Sequence, residues 1–234
     1  AKLSKLFTRI GKEIAMAVKA GGPNPDNNGR LKVAIQNARG MNIPKDNIDR
    51  AIKKAVGGEE ADFSEMTYEG YAPGGVAVFV EAATNNPTRT VANVRSFFSK
   101  CGANMGTSGS LSHIFDRKAE FVIETAALKD RDPDEFEMEV IDAGADDVVR
   151  DDEGFVIYAP FHSFGDMQQK LDALGVESKS AELKRFPLTT TPADITTARA
   201  VLKLVDLLDE DEDVSAVYHN MDITEEVEAE LENG

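Results

Sequence analysis

Residues 75–124 read GVAVFVEAATNNPTRTVANVRSFFSKCGANMGTSGSLSHIFDRKAEFVIE, and the change of hydrophobic period inside this stretch decides the fold class. Residues 75–82 form a strand-like apolar run, interrupted only by Glu81. After TNNP, Val91, Val94, Phe97 and Phe98 recur at helical spacing, so a strand passes into a helix. SLSHIF and AEFVIE then read as two more strands, turned at 116–118, which gives β-α-β-β without the last α-β of a split βαβ sheet. That remainder is supplied late in the chain. Ala198, Val201, Leu202, Val205 and Leu208 make a helical stripe, and VSAVYH at 214–219 makes the strand. The residues between repeat the alternation. Helices over 133–143 and 164–174, strands near 147–150 and 154–159, and a strand running towards Phe186 predict a second module inserted in the first. The fold class is α+β.

Working outward to the N-terminus, the period becomes helical and the charge changes sign. Residues 1–58 carry twelve Lys and Arg against four Asp and Glu, a surplus of +8, which leaves −24 for the rest of a chain whose net charge is −16. On a helical wheel Leu3, Leu6, Phe7, Ile10, Ile14, Ala17 and Val18 share one apolar face, while Lys2, Lys5, Arg9, Lys12 and Lys19 form a separate cationic stripe. GGPNP at 21–25 ends this helix. A second helix buries Leu31, Ala34, Ile35 and Ala38, and a third opens at Pro44 with Ile48, Ala51, Ile52 and Ala55 inward and Lys45, Arg50, Lys53 and Lys54 outward, before Gly57 and Gly58 stop it. The predicted organisation is a basic helical domain over 1–58, a discontinuous α+β domain over 59–128 and 189–234, and an inserted α+β domain over 129–188.

A chain this acidic does not need twelve cations in one quarter of its length for solubility. Clustered Lys and Arg suit phosphate, because neutralising a polyanion releases condensed counterions. Nucleic acid is therefore the expected partner of the head, with Arg89 and Arg95 as secondary contacts, and protein partners fall to the acidic domains. The single cysteine, Cys101, excludes an internal disulfide and any Cys-x-x-Cys zinc spacing. No apolar run approaches the roughly 18 residues of a membrane span, and residues 2–20 lack the core of a signal peptide, so a cytoplasmic protein without membrane contact is expected.

The search for catalytic chemistry gives no positive sign of an enzyme, metal or cofactor. His113, His162 and His219 are scattered, no Walker or GxGxxG pattern occurs, and GTSGS at 106–110 ends in Ser110 where a nucleophile elbow needs glycine. At the strand-to-helix junction, Asn85, Asn86, Thr88 and Arg89 suit either helix capping or an anion at the helix start. In YEGYAPGG at 68–75, Tyr68 and Tyr71 are read as packing residues rather than base-stacking platforms. The acidic run at 209–213 is read as a solvated helix end.

Two long segments, GGPNPDNNGRLKVAIQNARGMNIPKDNIDRAIKKA at 21–55 and YEGYAPGG through FDRK at 68–118, closely resemble the YebC family, also called probable transcriptional regulatory proteins, and the similarity continues into the C-terminal half. The resemblance implies a helical domain plus two α+β domains and a bacterial cytoplasmic protein. Members usually carry a further basic segment ahead of the position of Lys2, which implies that part of the nucleic-acid surface lies outside this sequence. The implied function is divided. Some members are described as DNA-binding transcription regulators; others, including the mitochondrial activator of cytochrome oxidase subunit translation, act on translation, where ribosomal RNA or tRNA is the polyanion. No catalytic residue is carried over by the resemblance.

Overall fold

The computed structural model describes residues 2–59 and 62–234, with the side chain of Lys2 outside the description. Three helices come first: α1 (Lys2–Gly21), α2 (Gly29–Gly40) and α3 (Lys45–Val56). Then follow β1 (Ser64–Tyr71), β2 (Ala77–Thr84), α4 (Pro87–Lys100), β3 (Asn104–Met105) and β4 (Phe115–Glu124). The second half holds α5 (Pro133–Asp142), β5 (Asp147–Asp151), β6 (Gly154–Pro160), α6 (Phe164–Leu174), β7 (Ser180–Pro187) and β8 (Thr191–Pro192). The chain closes with α7 (Ile195–Glu210), β9 (Val214–His219), β10 (Met221–Asp222) and α8 (Glu225–Glu232). The fold is mixed helix and sheet, with N-terminal helices followed by sheet-containing domains.

Contacts divide the chain into two compact units, and the division falls inside α1. One unit takes Ala1–Lys12, Ala61–Asp116 and Phe186–Gly234; the other takes Glu13–Glu60 and Arg117–Arg185.

The first unit is built on a four-stranded sheet of order β3-β1-β2-β9, antiparallel at each described pairing. β2 is a central strand covered on both faces, which is why its sequence is apolar but for Glu81 and Thr84 rather than alternating. Val78, Val80 and Ala82 pack with Val94 and Phe98 of α4 and Val201 and Leu204 of α7, while Ala77 and Phe79 turn the other way onto Leu111, Ile114 and Phe115. The start of α4 is fixed locally. The Asn86 side chain accepts from Arg89 N at 3.1 Å, and Pro87 takes a first-turn position where its missing N–H costs nothing.

Two features of this unit depart from the sequence reading. Residues 64–71 are a strand, where a packing junction was expected, because β1 pairs with β2 along its full length from Ser64↔Thr84 to Tyr71↔Ala77. Residues 110–114 of SLSHIF form turns rather than a strand and place Leu111 and Ile114 against the face of β2 that Ala77 and Phe79 present, while Phe115 and residues 116–118, expected as a turn, belong to β4.

The second unit contains a sheet of order β5-β6-β4-β7 with the element sequence β-α-β-β-α-β, the split βαβ arrangement. Its opening strand is β4. The segment AEFVIE was expected in the first sheet, but it pairs with β6 from Lys118↔Pro160 to Glu124↔Gly154. Ala119, Phe121 and Ile123 on one face meet Phe136 and Val140 of α5 and Met167 and Leu171 of α6. Gly175, at φ +69°, supplies the left-handed residue that ends α6.

The helices join this unit through α2. Gln36 Nε2 donates to Ser178 Oγ at 2.6 Å, and the Asn37 side-chain amide both donates to Ala181 O (2.9 Å) and accepts from Ala181 N (2.7 Å). Gly40 lets the two backbones meet here, since a Cβ would run into the Lys179 carbonyl. Asn28 caps α2 and also donates to Ala17 O at 2.7 Å, tying it to the end of α1.

Candidate nucleic-acid interface

The cations of the basic head have two distinct environments. On α3, Ile48 and Ala55 face inward, which leaves Lys45, Arg50, Lys53 and Lys54 on the solvent arc, and all four are exposed. Lys45 lies 3.8 Å from Asp49 one turn on, with 89% of its side chain exposed, a pairing of little energetic weight. No hydrogen bond or ion pair engages the side chains of Arg50, Lys53 or Lys54 among the described residues. Lys53 and Lys54 sit in the last turn, where the helix dipole favours positive charge. Lys19, at the end of α1, is also exposed.

The stripe at the start of α1 is occupied within its own unit. Arg9 donates from Nε to Val214 O at 3.2 Å and from Nη2 to Asp209 Oδ1 at 3.0 Å. Lys12 donates to Ala83 O at 3.0 Å and to Glu212 O, lies over the Phe63 ring at 5.3 Å, and keeps only 13% of its side chain exposed. Burial lowers its pKa against the opposing pull of Asp213. Lys5 Nζ is buried without a hydrogen-bond partner, and its pKa falls to about 8, chiefly through burial and then through the charge of Arg9. Lys2, the remaining candidate, has its side chain outside the described residues.

Arg89 is engaged in the same region. Its guanidinium grips Asp213 through Nε (3.0 Å) and Nη2 (2.7 Å) and also reaches Asn85 Oδ1 at 3.0 Å. Thr90 Oγ1 donates to the same carboxylate at 2.9 Å. Burial works against ionising Asp213, yet the bonds from Arg89 and Thr90 and the charges of Arg89 and Lys12 outweigh it and hold its pKa below the ordinary value. Asn86 is the helix cap, so the TNNPTRT junction closes on itself through caps and an ion pair. Arg95 is exposed on α4 and has no bonded partner among the described residues. Asp213 is the residue that sequence reasoning missed. The signal was present in the five consecutive carboxylates of 209–213, read as solvated when Arg9, Asn93 and Arg89 bond to carboxylates of the run and Lys12 to the Glu212 carbonyl.

Elsewhere the polar groups serve structure. Glu69 is buried and accepts from Leu111 N at 3.0 Å and Ser110 Oγ at 3.3 Å, pinning the GTSGS loop rather than activating its serines. Tyr68 is buried and Tyr71 is 39% exposed. A cleft of about 270 Å³ in the second unit is bordered by Lys32, Gln36, Arg39, Asp172 and Glu177, with Lys32 paired to Asp172 (3.1 Å) and Arg39 to Glu177 (3.0 Å). Among the described residues no group of three or more His, Cys, Asp or Glu side chains is placed to hold a metal ion, and no helix is long and apolar enough to cross a membrane.

Comparison with known proteins places this arrangement in context. Residues 1–58 match the family described as the TACO1/YebC protein N-terminal domain, and residues 63–221 match the TACO1/YebC second and third domain. A probable transcriptional regulatory protein of Flavobacterium psychrophilum is 48% identical over 219 residues, covering 94% of this chain and 92% of that protein. One from Clostridium beijerinckii is 46% identical over 226 residues, covering 96% and 91%. The crystal structure of a conserved hypothetical protein from Aquifex aeolicus superposes with a TM-score of 0.79 at 40% identity, covering 96% of this chain and 92% of that one. With both family descriptions matched in chain order and the same fold in a solved relative, this chain belongs to the TACO1/YebC family.

Proposed function

We propose that this chain is a non-enzymatic regulator of gene expression that binds nucleic acid through its basic head, with the acidic α+β parts orienting it or meeting protein partners. The observation that carries the reading is the exposed face of α3. The side chains of Arg50, Lys53 and Lys54 have no bonded partner among the described residues, on a helix whose buried side holds Ile48 and Ala55, and such a face suits phosphate. The names of its relatives as probable transcriptional regulatory proteins favour transcription as the process and DNA as the polymer.

A second reading, a translation factor contacting ribosomal RNA or tRNA, draws on the composition of the same face. Its cations are interspersed with Asp46 and Asp49, which repel phosphate, so the helix suits contact with backbone at selected points rather than a long base-reading insertion.

The test is crosslinking in growing cells followed by sequencing of bound RNA and bound DNA, with Arg50→Glu/Lys53→Glu/Lys54→Glu as the control. Promoter DNA lost in the triple variant supports transcription, and ribosomal RNA or tRNA lost in it supports translation. Enrichment of neither rejects nucleic acid as the partner.

A further inference from the structure

The acidic run at 209–213 sits where local physics disfavours it. It begins in the last turn of α7, which holds no basic residue, and negative charge there opposes the helix dipole. Five adjacent carboxylates also repel one another. What they face is the first half of α1. Arg9 reaches the carbonyl and the carboxylate of Asp209, and the Lys5 amine is buried without a hydrogen-bond partner, in the field of Asp209, Asp211 and Glu210. This half of α1 contributes little apolar anchoring. Leu3 is 65% exposed, Leu6, Phe7 and Ile10 are half-buried, and full burial begins only at Ile14. Polar contacts to the acidic run thus hold a segment that its hydrophobic face holds weakly.

We propose that the acidic run is an internal substitute for polyphosphate, clasping the N-terminal turns of α1 and withholding Lys5 and Arg9 until nucleic acid competes for them. This rests on the nucleic-acid reading above and adds its regulation. Lys12, buried between two backbone carbonyls, is the fixed end of the clasp, and the turns ahead of it are the releasable part. Binding is then two-stage. The α3 face makes first contact, and α1 exchanges carboxylate for phosphate.

The test uses the full chain with Asp209→Asn/Glu210→Gln. Both positions are exposed, and neutralising them relieves the end of α7, so folding is spared. Glu135→Gln/Asp142→Asn, two exposed carboxylates on α5, makes the same charge change elsewhere. The first readout needs no nucleic acid: amine labelling of Lys5 by an N-hydroxysuccinimide ester, followed residue by residue. The clasp predicts Lys5 labelling several-fold faster in the 209/210 variant than in the native or control chains. An unchanged rate overturns it. The second readout is affinity for a mixed-sequence RNA hairpin and a DNA duplex, expected to be at least about 3-fold tighter in the 209/210 variant than in the control, a gain of about 0.6 kcal/mol. Faster labelling with affinity equal to the control overturns the withholding of cations. Absence of binding by every chain overturns the nucleic-acid reading and the competition with it, while labelling still reports whether the clasp exists.

Discussion

The first half of α1 and the exposed face of α3 carry the same kinds of cation, yet their fates are opposite. The side chains of Arg9 and Lys12 on α1 are bonded to carbonyls and carboxylates of their own unit, whereas those of Arg50, Lys53 and Lys54 on α3 have no bonded partner among the described residues. A surplus of positive charge therefore does not identify a binding face. The deciding factor is whether a complementary surface is already folded against it, because a cation given an internal partner has lost most of what phosphate would add.

The largest effect that would test this contrast lies on the α1 side. Asp213→Asn removes the buried charge opposite Arg89 and Lys12, and is expected to lower unfolding free energy by about 2–4 kcal/mol in denaturant titration. A native-like stability would show that the α1 contacts are superficial. The same group sets an acid limit. Its folded pKa lies below its ordinary value of 3.8, so its contribution is complete above about that pH and is lost as pH falls through the folded value. Acid unfolding of Asp213→Asn should lack that component.

On the α3 side, Arg50→Glu/Lys53→Glu/Lys54→Glu is expected to weaken nucleic-acid binding at least about 10-fold near 0.1 M salt and to reduce the salt slope by about 2–3, with stability changed by less than about 0.5 kcal/mol. Equal slopes for native and variant chains would remove α3 from the interface. Lys12→Met keeps the aliphatic stem near Phe63 but strands the Ala83 and Glu212 carbonyls. It should cost about 1–2 kcal/mol by thermal denaturation while moving affinity much less than the α3 reversal. If affinity instead falls as far as in that reversal, the distinction between the two faces collapses. The smallest effect is Lys45→Ala. Its pair with Asp49 is held at 3.8 Å in open solvent, so thermal stability should be unchanged within error.

How much was legible follows the range of the interactions involved. β2, α4, α7 and β9 were readable because each carries its period in a few consecutive residues: the apolar run of β2, or the helical spacing of Val94 and Phe98. β1 was not, because SEMTYEGY is polar and glycine-bearing, and only pairing along β2 makes it a strand. SLSHIF has strand composition, but its Leu111 and Ile114 are spent as plugs beneath Ala77 and Phe79. AEFVIE was readable as a strand but not as the partner of β6, since alternation specifies a face and says nothing about a neighbour. Within the candidate site, the outward set of α3 followed from the helical wheel alone, whereas the partners of Arg9 lie 200 or more residues away.

By itself, then, the sequence determined the α+β class, the helical head and the sign of its charge, because propensity, period and charge are local and additive along the chain. Only the tertiary structure decided which cations find a bonded partner among the described residues. Phosphate-ready and internally bonded cations are alike in sequence, and what separates them is a carboxylate or carbonyl that folding brings to about 3 Å from a distant part of the chain.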